Sequence, residues 1–254
     1  MGEVLTLAGF AFFAGMIDAI AGGGGLVLVP ALFAVLPGAS PATLLGTNKL
    51  SAIAGTLVAT LRYAASVPIP WRSVVPASVF AGVAACAGAW AVTKVPPDLL
   101  RPLVLVLLVL VAGYTLMNRR LGVERVPLRA GARLGLRTAA LGGSVGFYDG
   151  FFGPGAGSFL MFGLVRWLRR SFLEAAASAR VMNLATNAGA LGFFVASGHV
   201  NYAVGIPMAI CSVAGGFVGA SLAVRRGIPL IRGVFLAVVL VLIAKVGLDL
   251  ITAG

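Results

Sequence analysis

From residue 3 to residue 250 this chain is a succession of apolar runs, each about as long as a helix needs to cross the hydrocarbon of a membrane, with one substantial polar interruption at 118–137. Soluble domains carry charge on roughly 25% of their residues. Here 10% are charged and 60% hydrophobic, with a mean hydropathy of +1.05. The pattern predicts an all-α polytopic membrane protein of 8–10 membrane segments, with no separate soluble domain. A net charge of +12 would suit nucleic acid if it formed a patch, but the Lys and Arg residues lie in short loops between apolar runs. That placement fits anchoring of cytoplasmic loops and excludes nucleic acid as a partner. Cys86 and Cys211 lie inside apolar runs without CxxC spacing and read as reduced packing residues. Met1 to Glu3 supplies no basic leader, so the first apolar segment is expected to be retained.

Two of the runs are interrupted from within. Asp18 is followed by Gly22, Gly23, Gly24 and Gly25, and the apolar stretch after them, 26–36, rises only about 16 Å as a helix, roughly half a bilayer. This predicts a glycine-broken helix or a re-entrant hairpin. The same pattern returns at Gly146, Asp149, Gly153 and Gly155. An offset of 131 (149 minus 18) superimposes the two. Without a gap, it also pairs Lys49 with Arg180, Trp71 with Tyr202, Pro76 with Pro207, Gly88 with Gly219 and Arg101 with Arg232. An ungapped register of this length marks a duplication. The expected organisation is a first transmembrane repeat (1–117), a basic cytoplasmic linker (118–137, with Arg119, Arg120, Arg125, Arg129, Arg133 and Arg137) and a second repeat (138–254).

Charge placement gives the relation between the repeats. With the linker inside the cell, the loops at Arg62 and Arg72, at Arg166 to Arg170 and at Arg225 to Arg232 also fall inside. The turn at 37–41 and the loop at 197–202 fall outside. Repeat-related loops thus land on opposite sides, and only Lys94, Arg101 and Lys245 among the loop bases lie outside. Two inverted-topology repeats in a cell membrane are the expectation.

Within the membrane remain Asp18, Lys49, Asp149 and Arg180, with the acid-to-base spacing 31 in both halves. A charge there costs at least about 2.5–3.5 kcal/mol and must pair or face a cavity. Two roles fit: ion pairs that pin the hairpins to the long helices, or Lys49 and Arg180 presenting positive charge to an anionic substrate. In the second role Asp18 and Asp149 would be charge partners or coupling groups for protons or another ion. An interrupted helix exposes backbone N–H groups at the start of its second half. This makes Gly24, Gly25, Gly155 and Gly157, with the hydroxyl of Ser158, candidate anion contacts. Thr47, Asn48, Asn183 and Asn187 flank the two bases as candidate substrate contacts, with Thr186 between them. Asn183 and Asn187 share a helical face with Arg180. His199 reads as a solvated loop residue, and Trp71 and Tyr202 as interfacial anchors. There is no GxxxxGK[ST] motif, and one His excludes HExxH chemistry. Acidic residues are too few for a divalent metal. Neither an enzyme, a cofactor nor a metal is expected.

Gly15-x-x-Asp18 with its glycines, Gly46-Thr47-Asn48-Lys49, and Gly146-Phe147-Tyr148-Asp149-Gly150-Phe151-Phe152-Gly153-Pro154-Gly155 together resemble the signatures of the sulfite exporter TauE/SafE family (4-toluene sulfonate uptake permease-like transporters), over nearly the whole chain. The resemblance implies a secondary transporter of small sulfur-containing anions such as sulfite or sulfonates, commonly working outward by alternating access. A passive anion channel or a non-transporting membrane scaffold are the alternatives. Second-half members often carry Lys where this chain has Ala179-Arg180, and a guanidinium binds oxyanions bidentately where an ammonium acts as a point charge.

Overall fold

The structure, a computed structural model, describes residues 2–96, 98–100, 103, 106, 132–168 and 171–226. Residues 118–131 of the linker, the last apolar run of the first half except residues 99, 100, 103 and 106, and the last apolar run of the second half, with Arg101, Arg232 and Lys245, lie outside the described residues. The described chain forms eight long helices: α1 (Gly2–Ala21), α2 (Gly24–Val35), α3 (Pro41–Ala64), α4 (Trp71–Thr93), α5 (Ala132–Phe151), α6 (Ala156–Leu168), α7 (Phe172–Ala196) and α8 (Tyr202–Arg226). No strand occurs among the described residues. Helices α1, α3, α4 and α8 are long and apolar enough to span a membrane. The all-α membrane architecture is as expected.

Local chemistry repeats with the 131-residue offset. α3 begins at Ser40, whose side chain accepts from Thr43 N at 3.2 Å, and α7 begins at Ser171, which accepts from Glu174 N at 3.3 Å. Each cap satisfies one of the orphan donors of a helix start. α4 and α8 each carry an internal proline, Pro76 and Pro207. The breaks after α1 and α5 turn on Gly22 (φ 83°) and Gly153 (φ 99°), backbone conformations that side chains with a Cβ rarely adopt. The sequence leaves α2 too short to span, and this is how it is formed: the chain turns at Gly22 and restarts at Gly24.

Packing interleaves the two halves. α4 packs on α5 and α7, and α8 packs on α1 and α3, so each of these helices lies chiefly against the other half of the chain. These contacts too are matched by the offset. Gly15 lies against the Ser212 backbone and Gly146 against that of Ala81; Gly219 meets Met16 and Gly88 meets Phe147. Backbones approach where side chains are small, as in membrane helix pairs generally. The two halves of the chain are therefore not separate bodies wherever both are described.

α3 and α7 lie at the centre and run antiparallel. Gly46, near the start of α3, abuts Phe194 and the His199 carbonyl beyond the end of α7, whereas Thr60, near the end of α3, donates to the Arg180 carbonyl at 3.2 Å. The turn at 37–40 and the loop at 197–201 thus share one end of the molecule, and the loop at 65–70 lies at the other.

Candidate functional site

The four intramembrane charges meet where α3 and α7 cross, and they pair across the halves. Lys49 Nζ lies 2.7 Å from Asp149 Oδ1, and Arg180 Nη1 lies 2.9 Å from Asp18 Oδ2. The offset carries one pair onto the other. The side chains of Lys49 and Asp149 are each 3% exposed, that of Arg180 0%, and that of Asp18 19%. Two acids and two bases cancel, which is how this much charge is tolerated in an apolar interior.

A hydrogen-bond chain joins the pairs. Lys49 also donates to Asn187 Oδ1 (3.1 Å); Asn187 Nδ2 donates to Thr56 Oγ1 (3.4 Å) and Asn183 Oδ1 (3.2 Å); Thr56 Oγ1 donates to Asp18 Oδ2 (3.3 Å). Thr186 donates to the second oxygen of Asp149. Thr56 and Asn187 are themselves 131 residues apart, so this contact joins two positions that the offset relates. Thr56 went unremarked in the sequence, although the offset from Asn187 points to it.

The two breaks also touch. Ser158 Oγ donates to the Ala21 carbonyl at 2.7 Å and Ser158 N to the Gly22 carbonyl at 3.3 Å, stitching the start of α6 onto the end of α1. A Cβ placed on Gly157 would lie 2.9 Å from Gly22 Cα and 3.2 Å from Arg180 Nη2, and one on Gly22 2.8 Å from that same nitrogen. Arg180 therefore reaches into the junction of the breaks. Its Nη1 holds Asp18, whereas Nε and Nη2 have no hydrogen-bond partner among the described residues. Those two nitrogens form one edge of the guanidinium, the fork that binds two oxygens of an oxyanion.

The candidates thus separate. Lys49, Asp149, Asn183, Asn187 and Thr186 form one buried network. Asp18 and Arg180 form the other pair, with Gly155, Gly157 and Ser158 at the α6 start. Gly24 N donates to Asp18 Oδ1 at 3.4 Å, so the chain's own carboxylate occupies the start of α2. Asn48, Gly24 and Gly25 line a cavity of about 30 Å³ beside Asp18. Thr47 has another duty, donating to the Thr43 carbonyl and accepting from Asn201 N at 3.0 Å, which fastens α3 to the loop before α8. Tyr63, missed by the sequence reading, donates to the Ala19 carbonyl at 3.1 Å and closes the end of α1.

The family profile described as "Sulfite exporter TauE/SafE" matches residues 7–246. The chain belongs to the TauE/SafE family. A protein of Escherichia coli (strain K12) named "Probable membrane transporter protein YfcA" is 38% identical over 94% of this chain and 87% of its own length. One of Sinorhizobium sp., named "Probable membrane transporter protein ORF9", is 35% identical over 94% of this chain and 90% of its own. A "Probable membrane transporter protein" of Haemophilus influenzae is 33% identical over 94% and 92% respectively. No solved structure matches. Membership of TauE/SafE makes the chain an integral membrane transporter and not an enzyme.

Proposed function

We propose that this TauE/SafE member is a secondary transporter in the cell membrane that exports small oxyanions, sulfite or sulfonates among them, by alternating access of two inverted repeats. The observation that carries the anion is the unpaired Nε–Nη2 edge of a fully buried Arg180 at the start of α6. A buried guanidinium with two unpaired nitrogens is costly, and an oxyanion bound bidentately there, close to the N-terminal end of a helix, removes that cost. Lys49 is already engaged by Asp149 and Asn187, so it acts in this reading as a fixed partner that holds the halves together.

The antiparallel run of α3 and α7, equivalent elements of the two repeats, supports the inversion. Orientation follows from the described bases. Arg62, Arg72, Arg225 and Arg226 belong to the end that holds the loop at 65–70, which the positive-inside rule makes the cytoplasmic end. Lys94 sits at the opposite end. The test is uptake or efflux of labelled sulfite and of an alkyl sulfonate by purified protein in liposomes. Saturable flux that Arg180→Lys abolishes supports the proposal; a flux that grows without saturation marks a channel, and no flux of either anion overturns the substrate class.

A further inference from the structure

The cavity beside Asp18 has a different chemistry from the Arg180 edge. It holds about 30 Å³, room for a single ion or a water molecule or two and too small for a sulfur oxyanion. Its polar lining consists of Asp18, Asn48, Thr56 and Ser212, each of which offers oxygen; no thiol or imidazole takes part. Asn48 is 4% exposed and its Oδ1 is buried without a hydrogen-bond partner among the described residues. Oxygen ligands of this kind, at the break of a membrane helix, suit a hard cation.

We propose that this cavity binds a small monovalent cation, represented by Na⁺, which enters with the substrate anion and supplies its missing countercharge. One carboxylate fixes the valence: no group of three His, Cys, Asp or Glu residues that could hold a divalent ion occurs among the described residues. The inference rests on the anion reading in one respect. Asp18, Asp149, Lys49 and Arg180 already sum to zero, so an anion on Arg180 leaves the interior with uncompensated negative charge, and a cation on the far side of Asp18 restores neutrality. Arg180 and Asp18 stand between the two ligands, so each ligand favours the other, and by linkage the two couplings are equal.

The offset does not carry this lining into the second half. The offset carries Ala14, Leu28 and Ser212 onto Val145, Phe159 and Ala81, which replaces small side chains by larger ones and removes a hydroxyl. The stoichiometry is accordingly one cation per chain, although the ion pairs are duplicated.

The experiment measures sulfite affinity of the full chain in nanodiscs in the gluconate salts of Na⁺, Li⁺, K⁺ and choline, and ²²Na⁺ binding directly with and without sulfite. Replacing Na⁺ by choline is expected to weaken sulfite binding about 5–150-fold, the usual span of such couplings. Ser212→Ala, which removes one oxygen ligand, is expected to lose most of that dependence, as is Leu28→Phe, which installs the second half's residue. Sulfite affinity that is equal in all four salts, or full Na⁺ dependence in both variants, overturns the cation site. If sulfite does not bind but ²²Na⁺ does and Ser212→Ala removes it, the cation site stands and the anion reading falls. Failure of ²²Na⁺ to bind under either condition overturns the site whatever sulfite does.

Discussion

Asp149→Asn leaves the shape of the central network almost unchanged and removes one charge. Lys49 then keeps Asn187 Oδ1 at 3.1 Å but loses the carboxylate at 2.7 Å, on a side chain only 3% exposed. Breaking a buried pair by removing one partner costs about 3–5 kcal/mol, because the other charge remains buried without compensation. At about 2–4 °C per kcal/mol for a chain of this size, the midpoint of thermal unfolding should fall by roughly 6–20 °C. Adding Lys49→Met removes the stranded ammonium, and the double variant should recover at least half of the loss, since replacing both members of a buried pair is often close to neutral. The assay is thermal unfolding of the purified wild type, both single variants and the double variant in one detergent. A drop of less than about 2 °C for Asp149→Asn, or a double variant whose loss equals the sum of the singles, would refute the reasoning that the pair is a closed, mutually dependent unit.

Gly22→Ala should destabilise severely: the left-handed backbone alone costs about 1–2 kcal/mol with a Cβ, and that Cβ would overlap the backbone of Gly157 and Ser158. Gly38→Ala, whose Cβ meets nothing within 4 Å among the described residues, should shift the unfolding midpoint by no more than the assay's error. Ser158→Ala removes the 2.7 Å bond to the buried Ala21 carbonyl and should cost about 1–3 kcal/mol of stability, read by the same assay, while sulfite affinity changes much less than in Arg180→Lys. In a background without Cys86 and Cys211, cysteine at Ser197 should react with an impermeant maleimide on intact cells and cysteine at Ser66 only after permeabilisation. Labelling of both from one side would contradict the end assignment of α3 and α7.

Much of this was legible in the residues, for reasons particular to each. Asp18 and Asp149 stand out because a carboxylate in an apolar run must be compensated, and Gly22 and Gly153 because only glycine takes the turn that breaks the helix. The partners of the acids were not legible. A spacing of 31 within each half suggests local pairs, yet Asp18 reaches Arg180 and Asp149 reaches Lys49, since that choice depends on α3 and α7 packing antiparallel at the centre. The interleaving of α4 and α8 with the opposite half rests on close backbone contacts at Gly15, Gly88, Gly146 and Gly219, which hydropathy does not register. Ser158 reads as a substrate hydroxyl in sequence, but its proton is used by Ala21. Ser212 sits in an apolar run with no pattern to mark it, and only the fold brings it beside Asp18.

In the proposed function the free guanidinium edge of Arg180 binds the transported oxyanion. Arg180→Lys retains a positive charge for Asp18 and deletes the Nε–Nη2 fork, so the chain should still fold while losing hydrogen bonds to a charged group worth about 1.5–3 kcal/mol each. Titrating sulfite into wild type and Arg180→Lys measures this directly. The account predicts an affinity at least about tenfold weaker in the variant with its unfolding midpoint little changed; equal affinity in a folded variant would contradict it.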